Sequence, residues 1–167
     1  MDGTGNIYVT TSVSFVNSST GAILIFASGA TGNVAPARVI TATPVFTGIA
    51  VDSASNIYTA EDTVIFNPIM GAFSTTAATL VEFSAGASGA ATPTKSVSGS
   101  ATGLTFAGGL SRDNAGNVYI VNAFISTTGS ATFTVLGFGP NATGNVGPGI
   151  NFNSSAWTVA GEQIALK

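Results

Sequence analysis

The chain has 167 residues, enough for one domain with its own core, and 45% of them are hydrophobic, which excludes a disordered chain. Only 7% are charged, the net charge is −3, and the four basic residues (Arg38, Lys95, Arg112 and Lys167) form no cluster, so the footprint that neutralises nucleic-acid phosphates is missing. The absence of Cys and His removes disulfides, thiolate sites, the usual general base and the commonest zinc ligand.

In chain order, Asp2-Gly3-Thr4-Gly5-Asn6 reads as a tight turn that opens a strand at Ile7-Tyr8-Val9. An Asp side chain accepts a backbone N–H two residues on, and Gly or Asn tolerates the left-handed backbone of such a turn. The strand continues to Phe15, with Ile7, Val9, Val13 and Phe15 on one face. Asn17 to Gly21 reads as a turn, and Ala22 to Phe26 as the next strand. A small-residue loop follows, with Pro36 ten residues after Phe26, and then a short strand at Arg38-Val39-Ile40.

The pattern then returns twice. Asp52-Ser53-Ala54-Ser55-Asn56-Ile57-Tyr58 and Asp113-Asn114-Ala115-Gly116-Asn117-Val118-Tyr119 repeat the turn, preceded by short strands at 48–51 and 109–112. Phe83 with Pro93, and Phe138 with Pro148, repeat the loop. Lys95 to Ser98 is the closing strand of the second copy, and the third has only Gly149-Ile150-Asn151-Phe152 in that place. The second copy carries an insertion, with a strand at 63–66, a turn at Asn67 to Gly71, and an apolar tip of Phe66, Ile69, Met70 and Phe73. No helical periodicity of useful length occurs.

Each unit is therefore four short antiparallel strands, A to D, repeated at intervals of 50 to 61 residues from Asn6 to Asn56 to Asn117. That matches β-propeller blades, which run ~40–50 residues. The run Gly48-Ile49-Ala50-Val51-Asp52-Ser53-Ala54-Ser55-Asn56-Ile57-Tyr58-Thr59 resembles the blade core of NHL-type and gluconolactonase-like propellers. The expected fold is all-β, one propeller-type domain over 1–167. Blade 1 spans about 1–46, blade 2 about 47–106 and blade 3 about 107–153, with a terminal A strand at 154–167.

Three blades do not close a ring, since propellers typically have ~4–8. Met1 stands where a strand A should end, so the start reads as a cut inside a longer repeat series, with an isolated piece of a longer propeller as one alternative. The favoured expectation is a homo-oligomer, a dimer above all. The strand around Trp157 completes the first blade of a second chain and gives six blades. Tyr8, Trp157, Val159, Ile164 and Leu166 are the candidate oligomer interface. A surface of Ser, Thr, Asn and Gly with little charge favours association.

Asp2, Asp52 and Asp113 are the candidate ligands for a divalent cation such as Ca²⁺, which takes several oxygens. The competing reading, favoured by the repetition, has each Asp capping its own turn. Tyr8, Tyr58 and Tyr119 share one repeat position and read as packing between blades rather than as a sugar-stacking ring. Glu61-Asp62, the one acidic doublet, reads as solvated hairpin charge. The Asn-x-Ser/Thr triplets at Asn17, Asn141 and Asn153 read as chance. The family resemblance implies a metal-dependent lactonase-type hydrolase as the alternative function, but no channel-facing Glu or Asn matches that pattern, so no catalytic residue is assigned.

No cofactor is expected beyond that possible cation. No apolar run approaches the ~18–20 residues of a membrane span, and no secretory leader is visible. The sequence thus points to a non-enzymatic, self-associating scaffold or binding module, with an extracellular or cell-surface setting slightly favoured and its small-molecule or glycan ligand open.

Overall fold

Short runs rich in Ile, Val, Phe and Thr, separated by Gly- and Asp-containing turns, fold as antiparallel strands across the described residues. A computed structural model describes residues 1–15, 18–42, 44–62, 64–67, 72–75, 78–125, 131–153 and 164, with backbone alone at 12–15, 18–19, 64–67, 72–75 and 125. The chain is all-β. Its strands are β1 (Ile7–Phe15), β2 (Ser18–Phe26), β3 (Arg38–Ala42), β4 (Val45–Val51), β5 (Ile57–Asp62), β6 (Val64–Asn67), β7 (Ala72–Thr75), β8 (Thr79–Phe83), β9 (Lys95–Val97), β10 (Phe106–Arg112), β11 (Val118–Ile125), β12 (Ala131–Phe138) and β13 (Ile150–Asn153). One 3-10 turn, Ser100–Thr102, is the only helical element among the described residues.

Three sheets carry the fold, in the orders β1-β2-β3, β4-β5-β8-β9 and β10-β11-β12-β13. The second and third each contain the four-stranded order expected from the repeat. In the first, the three described strands correspond to B, C and D. The insertion in the second unit does not extend β5. It forms a separate hairpin of β6 and β7, pairing Val64 with Thr75 and Asn67 with Ala72. Ile69 and Met70 of the expected apolar tip lie outside the described residues, as do the side chains of Phe66 and Phe73. The expected turn at Asn17 to Gly21 is largely strand, because Ser18 already pairs with Phe15 and Gly21 with Ser12. Polar residues at 18–20 fit a strand whose hairpin extends beyond the apolar core.

The sheets stack face to face. Tyr8, Ile23, Ile25 and Ile40 of the first sheet meet Phe46, Ile57, Val81 and Phe83 of the second. Phe46 and Phe83 touch edge to face, with ring centroids 5.9 Å apart. Tyr58, Ala60, Leu80 and Val97 on the other face of the second sheet meet Leu110, Val118, Ile120, Leu136 and Phe138 of the third. A strand side chain changes face at each residue, so Ile57 serves one junction and Tyr58 the next. The middle sheet is covered on both sides, and each fully buried Ile, Val or Phe there contributes about 1.5–3 kcal/mol. Arg112 lies over the Tyr58 ring, 4.9 Å from its centroid. The face of the ring meets the guanidinium charge, whose buried Nε has no hydrogen-bond partner.

The first strands of the second and third sheets, β4 and β10, come very close. Both are bulged, between Thr47 and Ile49 and between Ala107 and Leu110. Gly48 sits in the first bulge at φ +59, and a Cβ there would lie 2.8 Å from both the Gly108 carbonyl oxygen and the Leu110 amide nitrogen. Glycine is required at this point both by backbone conformation and by space. Gly48→Val is therefore expected to destabilise the protein by about 3 kcal/mol, combining left-handed strain with overpacking. Denaturant unfolding of the variant beside the parent measures this.

Candidate functional site

The three repeated turns build one hydrogen-bond cluster each. In the first, Asp2 Oδ1 accepts the Thr4 amide at 3.0 Å, the Thr4 hydroxyl at 2.8 Å and the Asn6 amide at 3.0 Å. Its Oδ2 accepts Asn6 Nδ2 at 2.9 Å and the Tyr8 hydroxyl at 2.8 Å. Asp52 accepts the Ala54 and Asn56 amides, both at 2.9 Å, Asn56 Nδ2 at 3.0 Å and the Tyr58 hydroxyl at 3.1 Å. Asp113 accepts the Asn117 amide and Nδ2, both at 2.8 Å, and the Tyr119 hydroxyl at 3.1 Å. The Asp, Asn and Tyr of the motif thus act together, with the carboxylate closing the turn and holding the tip of a tyrosine whose ring packs at the sheet.

These contacts set the acidities. Burial raises the Asp2 carboxyl, but hydrogen bonds from Asn6, Thr4 and Tyr8 outweigh it and hold the group well below its usual range. Burial likewise opposes, and the Asn56 and Tyr58 bonds reverse, the shift at Asp52, which is lowered. At Asp113 the Asn117 bond is the largest influence, and the carboxyl is again lowered. Tyr58 is pushed up to about 12 by burial and by the Glu82 carboxylate. Among the described residues no group of three or more acidic side chains is arranged to hold a metal ion, and the oxygens of the three candidate ligands already accept several protein donors each.

The first two clusters are linked. The Ser55 hydroxyl donates to Asp2 Oδ2 at 3.1 Å. Ser55 occupies the left-handed turn position, φ +65, that Gly5 fills at +87 and Gly116 at +92 in the other copies. A side chain is strained in that conformation, and its hydroxyl offsets the strain by tying one sheet to the next.

Asp62 corrects the reading of Glu61-Asp62 as solvated charge. It is fully buried at the end of β5, and Glu61 is half-buried. Asp62 Oδ2 accepts the Ala107 amide of β10 at 3.2 Å and the Thr47 hydroxyl of β4 at 3.3 Å. Burial pushes its carboxyl up to about 7, against those two bonds. Asn122 is a second buried polar group that sequence reading missed. Its Oδ1 accepts the Thr105 amide at 2.8 Å and its Nδ2 donates to the Gly103 carbonyl at 3.2 Å, pinning β11 to the approach to β10. An Asn in an otherwise apolar strand run was the available signal.

Of the expected interface residues, Tyr8 turns inward, packed in the junction between the first and second sheets. The alternation of β1 instead presents Ile7 and Val9 to solvent, at 37% and 40% exposure. Their counterparts Ile57, Thr59, Val118 and Ile120 are at most 4% exposed. Ile164 is half-buried. Trp157, Val159 and Leu166 lie outside the described residues. At the opposite end of the stack, Ile150 and Phe152 of β13 are 41% and 50% exposed, whereas Ile40 and Val97, which match Phe152 in the repeat, are buried.

The buried carboxyl gives stability a pH dependence. Between about pH 4 and 7 the folded chain holds a proton on Asp62 that the unfolded chain has released, so stability falls as pH rises through this window and levels off above it. Glu61, raised by burial, adds in the same sense. Thermal melts are expected to show a lower melting temperature at pH 8 than at pH 5, and Asp62→Asn to remove most of that difference. Replacing Ser55 separates strain from bonding. Ser55→Ala is expected to cost about 1 kcal/mol, while Ser55→Gly is expected to be nearly neutral because relief of the left-handed strain offsets the lost bond. Chemical denaturation of the pair reads the difference.

Comparison with protein-family models, with characterised proteins and with solved structures finds no match to this chain.

Proposed function

We propose that the three sheets are blades of a β-propeller of the NHL-like kind, that two copies of the chain close a six-bladed ring, and that the product is a non-enzymatic scaffold or binding module. The observation that carries this reading is the exposure of Ile7 and Val9 on β1, at the places where the second and third sheets bury their counterparts against a neighbouring sheet. The strand order supports it as well. β1 is an edge in the described structure, whereas β5 and β11, its counterparts, are each covered by a preceding strand, β4 and β10. In the assembled ring the segment around Trp157 lies beside the partner's β1 as that missing strand. The low charge of the chain favours the association, since little repulsion opposes it.

The function follows from the architecture: a ring whose repeated polar clusters are spent on holding turns, offering its loops for binding. Mass measurement in solution tests the reading, with a species of two chains expected. A strictly monomeric protein at working concentration overturns it. Trp157→Ala is expected to weaken the dimer at least ~10-fold, as truncation of a central aromatic anchor does, and sedimentation over a dilution series measures this.

A further inference from the structure

Neighbouring sheets are joined by a repeated clasp. The loop after β8 reaches the last strand of the first sheet, where the Gly89 amide donates to the Val39 carbonyl at 2.7 Å and the Thr41 amide donates to the Gly89 carbonyl at 2.8 Å. The loop after β12 does the same to the second sheet. There the Gly144 amide donates to the Ser96 carbonyl at 2.7 Å and the Ser98 amide donates to the Gly144 carbonyl at 3.1 Å. Both glycines lie six residues after the Phe that ends their strand, and both have a positive φ, +64 and +69. Beside each clasp a basic side chain from the receiving strand donates to the carbonyl two residues after that Phe: Arg38 to Ala85, and Lys95 to Pro140.

The chain carries one further copy of each half of this joint. Gly32 lies six residues after Phe26 and already has the clasp conformation, φ +69. The two clasps just described do not involve it. The receiving half is Asn151-Phe152-Asn153 of β13, which matches Val39-Ile40-Thr41 and Ser96-Val97-Ser98 and is exposed along its length.

We infer that Gly32 of one copy docks on β13 of a second copy, its amide donating to the Asn151 carbonyl and its carbonyl accepting the Asn153 amide, while Phe152 fills the place taken by Ile40 and Val97 inside the chain. The occupant is a second copy because the required shape is a Gly-centred loop following a strand that ends in Phe, and this chain holds one in the matching conformation. The first sheet, from which the Gly32 loop leaves, carries exposed Ile7 and Val9 with half-buried Leu24 and Phe26 on one face, and Phe152 of β13 is half-exposed. The basic side chain of the internal joints is replaced here by Ile150, so this joint lacks the charged bond and is more easily opened than the two within the chain. The inference rests on the self-association proposed above and specifies the contact that makes it.

Residue-resolved amide hydrogen exchange on the full chain tests it, with internal references. Gly89 and Gly144 report a closed clasp, and Gly29, in the same loop as Gly32, reports an amide outside one. At concentrations where two-chain particles form, Gly32 is expected to exchange as slowly as Gly89 and Gly144, about 100-fold or more slower than Gly29. Phe152→Asp, a change at a half-exposed site, is expected to weaken association at least ~10-fold and to return Gly32 to the rate of Gly29, while Gly89 and Gly144 stay protected. If two-chain particles form and Gly32 still exchanges like Gly29, the clasp is wrong and the ring reading stands. If no two-chain particle forms, both fall.

Discussion

The three larger sheets are each apolar on both faces, and that constraint governs the rest. A sheet with one wet face can end a stack, but one carrying Ile, Val, Leu and Phe on both sides has to be covered twice. The middle sheet meets the requirement within the chain, with Ile57, Val81 and Phe83 against one neighbour and Tyr58, Leu80 and Val97 against the other. Among the described residues the first sheet meets it on one side, leaving Ile7 and Val9 exposed, and on the outer face of the third Val121 and Val135 are buried while Phe152 is half-exposed.

Polar groups are used sparingly and close to home. Asp2, Asp52 and Asp113 are each consumed by the turn that contains them, and each turn then fixes where its tyrosine sits. Asp62 and Asn122 are buried and reach further: Asp62 accepts the Ala107 amide of bulged β10 from the neighbouring sheet, and Asn122 accepts the Thr105 amide just before β10. A carboxyl at such a place trades solvation for position, which is why its acidity moves so far from the ordinary value while that of the turn carboxylates moves the other way.

Much of the strand order was legible because one motif carries its own mechanism. Asp, a left-handed position, Asn and Tyr at fixed spacing form a single bonded cluster, so three occurrences announce three equivalent A–B turns. The hairpin lengths were less legible. Ser18, Ser19 and Thr20 have the composition of a turn but lie in β2, since their pairing depends on the facing strand rather than on local preference. Asp62 could not be read as buried, because what buries and binds it is the Ala107 amide, 45 positions further on in the chain. The clasp glycines were equally silent. Gly89 and Gly144 look like any small loop residue until the neighbouring sheet is in place.

The clasps also have a sense. At each one a loop is given by the later sheet and a strand edge is offered by the earlier, and the two roles are never exchanged. Units joined by such a contact all point the same way round, so nothing in the contact itself counts them. Closure depends on the angle between successive sheets bringing the last unit back to the first. A substitution that altered this angle slightly, and left every bond intact, would turn a finite circle into an open-ended helical fibre.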